Sequence, residues 1–173
     1  MEGGVGYSLS NDDINKILEP DTKIWIYPQF KDMSHIDECW DSKGRCIFLF
    51  LTKSEREGHW IAMWKKGDTI HYFDPYGMKP EAGRAWLSHD QLEDLDMGEP
   101  YLYNLLKNSG YKVVYNRVPY QSKDGDVATC GRWAVLRLLW KDVSDEEFNR
   151  RIKASGMPPD EFVTAITEKV LGK

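Results

Sequence analysis

Residues 46–74 read CIFLFLTKSEREGHWIAMWKKGDTIHYFD, and the order of apolar and polar positions in this stretch sets the expected fold. Cys46-Ile47-Phe48-Leu49-Phe50-Leu51 is a continuous apolar run of strand length, the pattern of a strand covered on both faces. His59-Trp60-Ile61-Ala62-Met63-Trp64, the turn residues Lys65-Lys66-Gly67-Asp68 and Thr69-Ile70-His71-Tyr72-Phe73-Asp74 then predict a β-hairpin. Upstream, Lys23-Ile24-Trp25-Ile26-Tyr27 alternates and reads as a strand ended by Pro28, and Ser10-Asn11-Asp12-Asp13 before Ile14, Ile17 and Leu18 reads as a capped short helix. Residues 29–45 are polar and turn-rich, a surface excursion.

Downstream, a helical stretch is predicted over about 81–108, interrupted by Gly98 and Pro100 and ended by Gly110. Tyr111-Lys112-Val113-Val114-Tyr115-Asn116 is a strand, Thr129 leads into a helix from Cys130 to Trp140, and Ser144-Asp145-Glu146-Glu147 is a capping box. Pro158-Pro159-Asp160 opens a last helix ending near Leu171. This order predicts an α+β fold, a central mixed and mostly antiparallel sheet flanked by helices. A chain of 173 residues is expected to form one domain over 1–173, large enough to need no disulfide or metal staple.

Composition narrows the function classes. A net charge of −5 argues against a general polyanion binder, because nonspecific nucleic-acid binding depends on Lys and Arg neutralising phosphates. Met1-Glu2-Gly3-Gly4-Val5 lacks the basic and apolar regions of a secretory signal, and no apolar run approaches the ~18 residues of a membrane span. A soluble, intracellular, monomeric protein is expected. Three cysteines at irregular spacing do not make a disulfide framework; Cys39 and Cys46 could pair, but free thiols of a reducing compartment are the better reading. His35, Cys39 and Cys46 with Asp37 and Glu38 lack the close spacing of a zinc knuckle, so no metal and no cofactor is expected. His71 should point away from the Asp74 face, and His89 falls in a polar helical stretch.

Four short pieces carry chemistry: Gly58-His59-Trp60, Phe73-Asp74-Pro75-Tyr76-Gly77, Pro119-Tyr120-Gln121 and Thr129-Cys130-Gly131. If Lys66-Gly67 are the hairpin loop, His59 lies directly opposite Asp74, with Cβ atoms about 4.5–5.5 Å apart. If Gly67-Asp68 make the turn, the pair is diagonal on the same face, still within reach. A carboxylate there orients the imidazole and favours its charged form. Cys130 opens a helix that Thr129 can cap, where free backbone N–H groups lower a thiol's pKa. Thiolate is the attacking form, and the Cys130 N–H with the Gln121 amide can hold a tetrahedral oxyanion. Gly131 leaves room for a substrate backbone, and Trp60 either shields the pair or fills the core.

Papain-like enzymes place the cysteine first and the histidine far downstream; here the cysteine comes last. The order His-Trp, Asp-Pro-aromatic-Gly, Gln, Cys-Gly over about residues 45–140 resembles the adenain-like and SUMO-protease-like cysteine peptidases, most of all those of DNA viruses, virophages and related mobile elements. The resemblance implies the adenain-like cysteine protease fold, with His59 as general base, Asp74 as orienter, Gln121 as oxyanion donor and Cys130 as nucleophile. Gln121 lies farther from the cysteine than the family usually places it, with Lys123-Asp124-Gly125-Asp126 between. The implied activity is an endopeptidase that matures viral capsid or polyprotein precursors at small-residue, Gly-containing sites, in host cytoplasm, virus factory or virion. Gly3-Gly4 is itself a candidate processed site. Alternatives within and beyond this chemistry are removal of ubiquitin or a ubiquitin-like modifier, acetyl transfer, and a non-enzymatic capsid or interaction protein. The expected partner in either proteolytic case is a protein substrate.

Overall fold

The computed structural model describes residues 8–19, 21–54, 57–121 and 129–172; Gly3-Gly4 and the Lys123–Asp126 stretch lie outside them. Strands β1 (Ile24–Ile26), β2 (Arg45–Ser54), β3 (Glu57–Lys66), β4 (Thr69–Phe73) and β5 (Lys112–Tyr115) form one sheet in the order β1-β2-β3-β4-β5. The two inner pairings are antiparallel, while β1 joins β2 and β5 joins β4 in parallel. Helices α1 (Asn11–Leu18), α2 (His89–Asp94), α3 (Tyr101–Lys107), α4 (Cys130–Leu139), α5 (Asp145–Ala154) and α6 (Pro159–Leu171) flank it. The fold is therefore α+β with a mixed central sheet, as the hairpin and its flanks predict.

Every residue of β2 from Arg45 to Leu51 is buried, which explains why that run carries no polar alternation: both faces of the strand are covered. On one face Ile47, Ala62 and Phe73 meet Ile14, Leu18, Trp133, Val135, Phe148 and Val163 of the surrounding helices. On the other, Phe48, Met63 and Tyr72 meet Tyr27, Phe30, Ile36 and the Leu102 and Leu106 side chains of α3. The capping box of α1 forms, with Ser10 Oγ accepting from the Asp13 N–H and Asp13 Oδ2 from the Ser10 N–H. That of α5 is half made. Ser144 Oγ accepts from the Glu147 N–H at 3.1 Å, but the Glu147 carboxylate turns to Arg150.

Two stretches differ from their expected form. The 29–45 excursion is not a purely superficial one: 3-10 turns at Tyr27–Asp32 and Ile36–Cys39 sink Phe30, Ile36 and Cys39 into the core. Single apolar residues at non-periodic spacing carry no helix or strand signature, so only the fold exposes their role. The 81–108 stretch is broken into a 3-10 turn (Ala82–Trp86), α2 and α3. Ser88 restarts the chain as a cap, its Oγ accepting from the Gln91 N–H, and Asp96 turns left-handed at φ 57 before Pro100.

Gly58 is set by a close approach between strands. A Cβ there would lie 2.1 Å from the Phe50 carbonyl oxygen and 2.8 Å from its carbon. Because the obstacle is backbone of a buried strand, it cannot swing aside. Gly58→Ala is expected to cost about 3 kcal/mol, lowering Tm by about 10 °C in a thermal melt followed by circular dichroism.

Candidate active site

The hairpin turns on Gly67-Asp68, with Lys66 facing Thr69 and Ala62 facing Phe73; Gly67 takes the positive dihedral of the turn at φ 62. Asp74 is thus diagonal to His59 rather than directly opposed, the second of the two registers. The side chains bridge that offset: His59 Nε2 lies 2.7 Å from Asp74 Oδ1, and both residues are buried. Asp74 Oδ1 also accepts the Tyr76 N–H at 2.8 Å, the bond that an Asp at the head of an Asp-Pro-aromatic turn is suited to make.

Asn116 holds the carboxylate's backbone from the other side. Its Oδ1 accepts the Asp74 N–H at 2.9 Å, and its Nδ2 donates to the Asp74 carbonyl at 2.7 Å and to the Val118 carbonyl at 3.2 Å. This buried amide was invisible in the sequence, since an Asn ending a strand is ordinary. The parallel register that sets Tyr115 beside Tyr72 is what carries Asn116 to Asp74.

Cys130 begins α4 beside the His59 ring, close enough for each group to shift the other's protonation. With Nε2 committed to Asp74, the nitrogen left for the sulfur is Nδ1. Burial pushes the thiol up, but the His59 hydrogen bond and charge, with backbone N–H groups of Trp60 and Gly131, outweigh it and hold Cys130 below its ordinary value. Burial likewise opposes the imidazolium, yet the bonds to Asp74 and Cys130 raise His59 to about 9. Thiolate and imidazolium therefore favour one another at neutral pH. Tyr76 stacks on the imidazole at 4.6 Å and 15°, a π-face placed against the charged ring.

Thr129 does not cap α4 through its side chain. Its hydroxyl donates instead to Asp160 Oδ1 at 2.5 Å, which also accepts Trp133 Nε1–H at 3.0 Å. An acid at the start of α6 thereby pins the residue before the thiol, and no side chain of Thr129 competes for the N–H groups of the first helical turn.

A cleft of about 820 Å³ opens over these residues, lined by Cys130, His59, Gln121, Trp60 and Gly131 and by Tyr76 and Trp86. Gln121 is anchored by its backbone N–H on the Pro75 carbonyl at 3.1 Å. Its Oε1 is buried with no hydrogen-bond partner among the described residues. Gly131 is matched to the protein as well as to any substrate: a Cβ there would sit 3.1 Å from Trp60 Cδ1 and 3.6 Å from Leu9 Cβ. Trp60 both packs against the core and lines the cleft. The structure thus brings together His59, Asp74, Gln121 and Cys130. Sequence reading missed Asn116, Asp160, Trp86 and the Ser8–Ser10 segment, which lines the same cleft.

The remaining polar candidates lie elsewhere. His35 Nδ1 accepts the Asp37 N–H and caps a 3-10 turn. Cys39 and Cys46 are free and buried in the core. His71 stacks on Trp64 at 4.9 Å, and His89 opens α2. Among the described residues no group of His, Cys, Asp and Glu is placed to hold a metal ion, and no helix is long and apolar enough to cross a membrane.

Fold and site together define an α+β protein with a thiol, imidazole and carboxylate joined at the floor of a cleft. The chain belongs to the family of "Uncharacterized protein V9" of Sputnik virophage, to which it is 34% identical over 165 residues, 92% of this chain and 94% of that protein. No protein-family model matches it. Among solved structures it is similar to SUMO protease Ulp1 with its catalytic cysteine oxidized to a sulfinic acid, at 16% identity and TM-score 0.40 over 95% of this chain and 80% of that one. It is also similar to the central domain of the uncharacterized Lpg1148 protein of Legionella pneumophila, at 14% identity and TM-score 0.39 over 95% and 98%.

Proposed function

We propose that this protein is a cysteine endopeptidase that matures viral precursor proteins, with Cys130 as nucleophile, His59 as general acid and base, Asp74 as orienter, and Gln121 with the Cys130 N–H as oxyanion donors. The observation that supports it best is the buried Asp74 Oδ1 to His59 Nε2 pair at 2.7 Å, with the His59 ring set beside Cys130 in a cleft that Gln121 also lines. A structural cluster of these groups has no need to face open space. The virophage relative supports the viral setting.

The steps follow from the geometry. The Cys130 thiolate attacks the scissile carbonyl carbon, and the carbonyl electrons move to oxygen, held by the Cys130 N–H and the Gln121 amide, whose assigned oxygen and nitrogen exchange places on rotation. The C–N bond breaks as imidazolium Nδ1–H protonates the leaving amine, leaving a thioester. Water then gives its proton to Nδ1 as it attacks, the C–S bond breaks, and thiolate and imidazolium are restored. Asp74 keeps the proton on Nε2 and the ring in register throughout.

Proteomic mapping of new termini tests the reading: wild-type protein, mixed with virion precursors, is expected to create termini at Gly-containing sites that Cys130→Ala does not. Absence of any Cys130-dependent terminus refutes it. Labelling of Cys130 by a ubiquitin-like modifier probe, with no precursor cleavage, would replace it by deconjugation.

A further inference from the structure

Resting on the peptidase reading, we propose that Trp86 selects the leaving half of the substrate, receiving an apolar side chain carried at the first or second position after the scissile bond. The acyl half of a substrate must lie on Cys130, and the amine half must lie toward His59, which protonates it. Trp86 stands on the His59 side. Its ring meets the imidazole edge-to-face at 5.9 Å and 77°, and Tyr76 at 5.9 Å and 87°.

Trp86 is 46% exposed, and of the large exposed hydrophobic side chains among the described residues it is the one that lines the cleft. An exposed tryptophan beside a cleft is a recognised form of binding anchor. Its support is stiff, which a chance surface residue does not require. Gly83 in the same 3-10 turn sits so close to the buried Phe50 ring that a Cβ would lie 2.9 Å from it. Arg84 donates to the Met97 carbonyl at 2.8 Å and to the Gly98 and Glu99 carbonyls at 3.3 Å. Glu81, which leads into the turn, accepts Tyr27 Oη–H at 2.6 Å. A rigid aromatic wall loses little entropy on binding.

The ligand class follows from what faces the wall. Tyr76 and the His59 ring present aromatic surface, which suits Leu, Met or Phe.

The test uses a peptide library with every residue at the two positions after the cleaved bond, digested by the full chain and read by mass spectrometry. Wild-type protein is expected to favour large apolar residues over Ala by about 10-fold, the scale set by one apolar side chain in a pocket. In Trp86→Ala that ratio should fall to about 1, whereas Trp86→Phe should keep most of it; the ratio is internal to each protein and does not depend on how much total activity survives. Cleavage with the same preference in Trp86→Ala, or a wild-type preference for Lys or for nothing at all, overturns the proposal while leaving the peptidase reading intact. If wild-type protein cleaves no member of the library, the peptidase reading falls and this proposal with it.

Discussion

Cys130→Ala is expected to lower precursor cleavage by about 10^4-fold or more while leaving the thermal melt close to that of the wild-type protein. The two halves of that expectation have different causes. Removing the sulfur removes the atom that forms the thioester, and neither His59 nor the oxyanion donors supply another nucleophile of comparable strength. Folding is spared because Cys130 is half-buried at a helix start, not within the packed set around Trp133 and Val135. The measurement is the rate of new-terminus formation beside a circular-dichroism melt. Cys130→Ala cleaving at a tenth of the wild-type rate would show that the thiol is not the nucleophile.

The second large effect concerns charge. His59 is raised to about 9 and Cys130 is lowered, so the thiolate–imidazolium pair exists above the pKa of the thiol and below about 9. As pH rises toward that value, His59 loses its proton, the leaving amine loses its acid, and kcat/KM falls. As pH falls, the thiolate takes up a proton and kcat/KM falls again, giving a bell with its alkaline limb near 9. Asp74→Asn removes the hydrogen bond and charge that support the imidazolium. It should cut kcat/KM by on the order of 10^2- to 10^4-fold and draw the alkaline limb down by roughly one to three units. An alkaline limb that stays in place in Asp74→Asn would mean that the carboxylate does not set the charge of His59. The reading of Asp74 as orienter would then fail.

The site was legible in unequal parts. His59 and Asp74 follow from hairpin parity: any two-residue turn keeps them on one face, so their meeting did not depend on which turn forms. The choice between opposed and diagonal did, and it fell to Gly67-Asp68 because Gly67 accepts the positive φ that a tight turn demands. Cys130 was legible because a helix start is a local signal. The cap ascribed to Thr129 was not, since its hydroxyl found Asp160, 31 residues away, and nothing local distinguishes the two bonds. Asn116 and Trp86 were silent for the same reason. One arrives through a parallel pairing, the other through a 3-10 turn seated on Phe50, and neither connection leaves a period in the sequence.

Local order along the chain was enough to determine the α+β class, the strand β2 covered on both faces, the hairpin that pairs base and carboxylate, and the helix that opens on the thiol. These depend on periodicity, turn chemistry and the residues next in sequence, all of which act over a few positions. Tertiary structure alone decided that Gln121 lines the cleft, that Asn116 clamps Asp74, that Asp160 pins Thr129, and that Trp86 stands beside the base. Those contacts join segments that are far apart in sequence, and their energies come from packing and desolvation, which no single stretch of chain encodes.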